Sequence, residues 1–134
     1  MNRKTILEAF NQAAAAVGYK FYSDEEGRAP VSVKEYPALW LAPPQFVKME
    51  GRKHGRITYS VTLHAMRQGA KHTAEMRNDE WAAMEESLLE FFNLLSQHHL
   101  VAVVDKLTIR NSSMSLTAHG EVAATAEAEV VTIF

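Results

Sequence analysis

Hydrophobic positions near the start of the chain repeat with the period of a helix. Spacings of three and four residues place four apolar side chains on one helical face: Ile6, Phe10, Ala13 and Val17. Gly18 follows, at a position where helices commonly end in a left-handed residue. The pattern predicts a first helix over residues 3–17.

The strongest helical pattern begins after residue 78. The predicted buried stripe comprises Trp81, Met84, Leu88, Phe91 and Leu95, and Leu89 and Phe92 widen it. Asn78 is a favourable N-cap, and the acidic residues of the next turn complement the helix dipole. We therefore predict a second helix over residues 79–97 that packs on a sheet.

Alternating positions predict a β-hairpin in "FVKMEGRKHGRITYSVTLHAM", residues 46–66. Apolar and polar residues alternate over residues 59–66, with Tyr59, Val61, Leu63 and Ala65 on one side. Residues 46–50 can pair with this strand across the loop of residues 51–55. The hairpin would have a basic tip.

Prolines bound a shorter apolar run in "YPALWLAPP", residues 36–44. Because proline lacks an amide donor, this run predicts a short strand that is bent or at a sheet edge. Residues 19–22 favour another short strand, before an acidic turn at residues 24–27.

The last third of the chain favours strands. Residues 100–110 are rich in β-branched side chains, residues 111–113 are typical of a turn, and alternation resumes from Met114 with a bulge at Gly120. A helix over residues 121–134 would also group several apolar side chains, but the terminal "EVVTIF" disfavours helix. We predict a long strand, whose alanine face lets a helix or second sheet approach closely.

The order of these elements predicts an α+β fold in a single domain, residues 1–134. Two main helices would pack on one face of a mostly antiparallel, twisted sheet. No internal repeat or low-complexity segment divides the chain.

Composition narrows the classes of function. The chain has 134 residues, a formal net charge of -2, 47% hydrophobic residues and no cysteine. The absence of cysteine excludes a disulfide scaffold, a thiolate nucleophile and Cys-ligated metal sites. The first apolar segment is interrupted by polar residues, and no run of 18 apolar residues occurs. We expect a soluble intracellular protein without a membrane span.

The histidines and serines indicate no known catalytic site. None of the six histidines forms a metal-binding spacing such as HxH or HExxH. His98 and His99 follow the second helix, where a cation complements its dipole. His64 and His119 fall on the polar sides of two strands and would be neighbours if those strands pair. Neither GxSxG nor GxGxxG occurs, so a hydrolase triad has no support and the residues give little indication of an enzyme.

Two charged clusters are candidate contact sites. Glu127 and Glu129 lie on one side of a strand, about 7 Å apart, which could suit glycosidase carboxylates. They lack a surrounding aromatic cluster, so a solvated or intersubunit face is expected. The loop "GRKHGR" concentrates Arg52, Lys53, His54 and Arg56 in the hairpin tip. It is either a solvated tip or a site of non-specific contact with DNA phosphates.

The whole pattern resembles the tail-terminator (tail-completion, neck-type) proteins of long-tailed bacteriophages and prophages. The matching features are the first helix, "YPALWLAPP", the hairpin, the helix from Asp79 to Gln97 and the strand-rich end. The resemblance implies a structural protein of the virion tail, assembled in the bacterial cytoplasm, without catalysis or cofactor. It implies a hexameric ring that caps the tail tube and meets the head connector.

The ring hypothesis suggests candidate contacts between subunits, although the resemblance assigns no functional residue. The strand that ends at Phe134 could lie in a subunit interface, and the "GRKHGR" loop and Glu127 and Glu129 are candidates for opposite-sign contacts between neighbours. Two other classes stay open: a small adaptor domain that binds a partner or ligand, and an enzyme using His64, His119 and a glutamate.

Overall fold

The predicted elements are largely present in a computed structural model of the chain, which describes residues 2–69, 73–112 and 120–134. The elements, in chain order, are α1 (Asn2–Ala16), β1 (Lys20–Ser23), a 3₁₀ helix (Glu26–Arg28), α2 (Ala29–Ser32), β2 (Ala38–Leu41), β3 (Gln45–Glu50), β4 (Arg56–Arg67), α3 (Ala74–Ser96), β5 (Val101–Ser112) and β6 (Val122–Ile133). They form one mixed sheet with helices, so the predicted α+β fold is confirmed.

The sheet is built around the long hairpin strand β4. Its strand order is β1-β2-β4-β6-β5, and β3 also pairs with β4. The β1–β2 pair is parallel and the others are antiparallel. Leu41 is opposite Leu63 and Gln45 is opposite Ser60, so β2 and β3 occupy successive halves of the same edge of β4. The predicted hairpin is therefore confirmed.

Helices α1 and α3 cover one face of this sheet, which we call the helix side. On that side β4 presents the predicted alternating residues Tyr59, Val61, Leu63 and Ala65, all buried. The same side of β6 is lined by Val122, Ala124, Ala126, Ala128 and Val130, also buried. Residues 122–133 are thus a strand, as predicted, and their small side chains allow close approach of the helices. The ring centroids of Phe10 in α1 and Phe91 in α3 are 5.4 Å apart in this layer.

A second apolar cluster lies on the opposite side of the sheet. It is formed by the buried residues Ala29, Val33, Ala38, Trp40, Met66 and Ala123. The Tyr22 ring stacks on Trp40 with centroids 6.0 Å apart, and its hydroxyl accepts hydrogen bonds from the amides of Lys34 and Glu35. The short helices after β1 therefore cover part of the face that the sequence left open to solvent.

The predicted edge position of the "YPALWLAPP" strand is wrong. β2 is short, as expected, but it lies between β1 and β4, and all four of its residues are buried. Pro37 and Pro43 lie just outside its ladder. Their missing amide hydrogens therefore do not interrupt the pairing of β2 on either edge.

The predicted start of the second long helix is also wrong. α3 begins at Ala74, and its N-cap is Thr73, whose side chain accepts a hydrogen bond from the Met76 amide at 3.3 Å. Asn78 lies inside the helix. Threonine can accept a hydrogen bond from an amide of the first turn as asparagine would, so Thr73 caps a helix that begins five residues earlier than predicted.

Leu89 does not widen the buried stripe of α3. Its side chain is 64% exposed, whereas Leu88 and Phe92 are buried as predicted. Successive side chains of a helix are rotated by about 100° around its axis, so Leu89 lies outside the buried stripe that contains Leu88.

Three other predictions concern chain ends and turns. α1 ends at Ala16, and Gly18 has the expected left-handed conformation with φ +80°. Asn111 and Ser112 belong to β5, so the predicted turn at residues 111–113 is wrong for these two positions. Gly120 has a positive φ of 67°, but the predicted alternation over residues 114–118 lies outside the described residues.

Candidate interface surfaces

The basic residues predicted as an interface are divided between two locations. Arg52, Lys53 and His54 are exposed in the tip that joins β3 to β4. Arg56 is the first residue of β4 and is opposite Glu50 of β3. With Lys48, Lys106 and Glu129, among others, Arg56 lines a groove of about 260 Å³. The tip itself is thus left with three of the four basic side chains.

The two predicted glutamates of β6 both have partners within the chain. They lie on the side of the sheet opposite α1 and α3, as their register with Thr62 and Ser60 requires. Arg110 contacts Glu127 at 3.0 Å, and Lys106 contacts Glu129 at 3.2 Å. Lys106 adopts a positive φ of 54° where the β5–β6 register shifts, and its amine reaches across to β6.

Phe134 packs against the loop end of the hairpin. Its amide donates to the Gly55 carbonyl at 3.0 Å, and its carbonyl accepts from the Gly55 amide at 3.2 Å. Its ring lies where a side chain at residue 55 would point, because an added Cβ would be 2.5 Å from the Phe134 ring. Phe134 is nevertheless 38% exposed, so it also forms part of the surface.

The sequence did not indicate an apolar patch on the helix side of β3. Phe46 is opposite Tyr59 and Met49 is opposite Ile57, so both share the face of the buried core. They are 57% and 58% exposed, and Val47, at the register shift between them, is also exposed. We call Phe46, Val47 and Met49 the apolar patch. All six residues of β3 are exposed in the structure. The sequence pattern could not show this, because it does not indicate which strands the helices cover.

Arg3 marks the boundary between this patch and the covered core. Its guanidinium donates to the Pro44 carbonyl at 2.8 Å and lies 5.3 Å from the centroid of the Tyr59 ring. The Phe46 ring meets Tyr59 edge-on from the other side, at 6.1 Å. The N-terminal turn of α1 thus reaches Tyr59 but leaves Phe46 and Met49 in contact with solvent.

Other exposed apolar residues lie on the β5 side of the molecule. Leu89 is exposed on α3, which packs on β5, and Leu107 is exposed on β5. Val103 is exposed opposite Val131, on the side of the sheet away from the helices. Among the described residues, β5 pairs with β6 alone and β3 with β4 alone. β1 likewise pairs with β2 alone. The outer edges of β3 and β5 lie on opposite sides of the β4–β6 pair and carry different side chains.

His64 is the most buried of the described histidine candidates. Its Nδ1 lies 3.1 Å from Thr125 Oγ1, and its Nε2 lies 3.3 Å from Glu26 Oε2. Burial lowers the pKa of His64, and the Glu26 carboxylate opposes this shift. His119, its predicted neighbour, lies outside the described residues. His98 and His99 follow α3 as expected, with stacked rings 4.7 Å apart.

In residues 2–69, 73–112 and 120–134, no three His, Asp or Glu side chains are grouped as metal ligands. No helix in these ranges is both long enough and apolar enough to cross a bilayer.

Comparison with known proteins gives no family assignment. The sequence matches no protein-family model and no curated protein.

Proposed function

We propose that this chain is a structural assembly protein that forms a ring and terminates the tail tube of a bacteriophage or prophage, where the tube meets the head connector. The proposal is for a non-catalytic role without a cofactor. Its partners would be other copies of the chain, the tail-tube protein and the connector. The whole-chain resemblance in element order supports this class.

One structural observation carries the proposal: the outer edges of β3 and β5 differ in their side chains. A ring needs heterologous contacts, in which one patch of a subunit meets a different patch of the next. β3 and β5 are such a pair, because they lie on opposite sides of β4 and β6 and expose different residues. A long exposed edge with apolar residues is also an aggregation hazard unless a partner covers it.

The predicted charged sites fit this proposal in different ways. The tip residues Arg52, Lys53 and His54 are exposed and available to a neighbour or to DNA. Glu127 and Glu129 are bonded to Arg110 and Lys106 of their own chain. They would have to lose these contacts in order to bind the hairpin tip of a neighbouring copy. The tip is therefore the stronger of the two candidate contacts.

The test is the mass of the purified chain in solution, measured by light scattering over a wide concentration range. Electron microscopy of the same sample would show whether an oligomer is a closed ring. We expect a hexamer that dissociates on dilution. A strict dimer at all concentrations would indicate one self-complementary patch, and would support the alternative of a small adaptor domain instead.

A further inference from the structure

The apolar patch of β3 lacks a covering helix within its own chain. Phe46 and Met49 lie on the helix side of the sheet, and Val47 lies at the register shift between them. α3 packs on β5, β6 and β4, and α1 packs on α3, β1 and β6, whereas neither helix packs extensively on β3. Phe46 and Met49 remain more than half exposed although they share a face with the buried core. Contiguous exposed apolar residues with a charged rim commonly mark an interaction surface.

The rim of this patch is basic. Arg52 and Lys53 follow β3 in the hairpin tip, and Arg3 and Lys4 are exposed in the first turn of α1. A partner for this surface should therefore present an apolar side chain with carboxylates around it.

The exposed flank of α3 has this composition. Leu89 is 64% exposed. Glu85 and Glu86 lie one helical turn before Leu89, and Glu90 follows it; all three are exposed. We call these four residues the Leu89 flank.

The Leu89 flank is on the side of the molecule remote from the apolar patch. Leu94 faces α1, since it lines a groove with Ala9 and Ala13 of that helix. Leu89 and Leu94 are five residues apart, so their side chains point about 140° apart around the helix axis. Leu89 therefore points away from α1 and towards the β5 side. The flank and the patch thus cannot meet within one molecule.

The strand directions allow the apolar patch of one molecule to meet the Leu89 flank of another. β3 and β6 are both antiparallel to β4, and β5 is antiparallel to β6, so β3 and β5 run in opposite directions. If β5 of a second copy lies beside the unpaired edge of β3, the pair is antiparallel and the helices of both copies are on the same side. α3 of the second copy then lies over the apolar patch of the first.

We propose that the apolar patch of one copy is covered by the Leu89 flank of the next copy, with β5 of that copy beside β3. The contact joins apolar side chains at its centre and places Glu85, Glu86 and Glu90 near the basic rim. It is heterologous, so it repeats from copy to copy. The proposal rests on the ring assembly proposed above and identifies its subunit contact.

Disulfide capture tests this contact directly, because the natural chain has no cysteine. The test protein is the double variant Met49→Cys, Leu89→Cys, oxidised and run on a non-reducing gel. A repeating contact gives a ladder of covalent species beyond the dimer. The single variants can give only dimers. The matched control is Val31→Cys, Leu89→Cys, since Val31 is 74% exposed on α2 but lies on the opposite side of the sheet.

A second variant tests the energetic role of the patch. Met49→Glu places a carboxylate against the glutamates of the flank and should raise the concentration for half-dissociation at least about tenfold. Val31→Glu changes the charge equally and should leave assembly unchanged. Circular dichroism and thermal melting of both variants confirm that the subunit is folded.

The outcomes separate this contact from the ring itself. A ladder that stops at the ring size, with weakened assembly of Met49→Glu, supports the contact. A wild-type hexamer without this ladder overturns the contact but leaves the ring proposal standing. A dominant dimer of Met49→Cys alone overturns the contact in favour of a self-complementary patch. A wild-type chain that is monomeric throughout and gives no ladder overturns both proposals.

Discussion

At the scale of single residues, the tightest constraint is at the end of the hairpin. Gly55 is enclosed by the Glu50 carbonyl and the Phe134 ring, so this position has no room for a side chain. The same contact attaches the end of β6 to the hairpin through two backbone hydrogen bonds. A glycine read from sequence as a flexible loop residue is therefore a packing residue.

Gly55→Ala should lower the free energy of unfolding by about 1–3 kcal/mol, as expected for overpacking. Urea denaturation followed by circular dichroism measures the change. Gly27→Ala is the matched control, because nothing lies within 4 Å of an added Cβ there. A Gly55→Ala variant as stable as the Gly27→Ala variant would show that the hairpin end adjusts without cost.

His64 makes stability depend on pH. Burial lowers the pKa of His64 in the folded protein below the ordinary value of 6.5. As the pH falls below 6.5, the unfolded chain takes up a proton before the folded chain does, so stability should decrease with acidification. The decrease should end once the pH is below the folded pKa.

Urea midpoints between pH 7.5 and 5 measure this effect, with His64→Gln as the test variant. The wild-type curve should fall more steeply than that of His64→Gln. His54→Gln, at the exposed hairpin tip, should retain the wild-type slope. Parallel curves for all three proteins would exclude His64 as the source.

At the scale of elements, the sequence located the long helix but misplaced its start. Either Thr73 or Asn78 could cap a helix, and the apolar stripe begins only at Trp81. The preceding turns carry Glu75, Met76 and Arg77, which are all compatible with helix. Glu80, which follows these added residues, is bonded to Arg67 of β4 and so connects α3 to the sheet.

Thr73→Ala should therefore destabilise the protein by about 1 kcal/mol through loss of the N-cap. Asn78→Ala should be neutral or stabilising by a few tenths of a kcal/mol, because alanine favours a helix interior. Thermal unfolding of the two variants gives the comparison. The reverse order of stabilities would place the start of the helix at Asn78 instead.

At the scale of the whole molecule, charge and apolar surface are unevenly distributed. Basic residues surround the apolar patch near β3, and carboxylates surround Leu89 on α3. The net charge of -2 is a sum over the whole chain, so it does not show that basic and acidic residues lie on separate surfaces. Complementary surfaces of this kind favour one order and orientation of subunits more than they increase affinity.

Charge reversal tests this arrangement. Glu86→Lys and Lys53→Glu should each weaken assembly by roughly 1 kcal/mol, and the double variant should recover much of that loss. Light scattering at 50 and 300 mM salt measures the assembly of each variant. The effects of the substitutions should be smaller at 300 mM salt, because salt screens exposed charges. Glu8→Lys, an equal charge change on α1, is the control. Additive losses in the double variant would mean that these two residues do not meet.

The sequence by itself determined the order of the elements, the hairpin, the terminal strand and the buried faces of α1, β4 and β6. These follow from local periodicity, because the period of a strand or helix decides which side chains share a face. Only the tertiary structure decided that β2 is interior, that Trp40 and Met66 form a second core on the opposite side, and that Leu89, Phe46 and Met49 remain exposed. Whether an apolar face is covered depends on which other elements lie over it, and that is set by the order of strands and the extent of the helix layer. The candidate interface belongs to this second group, because it consists of core-like residues beyond the edge of their own helices.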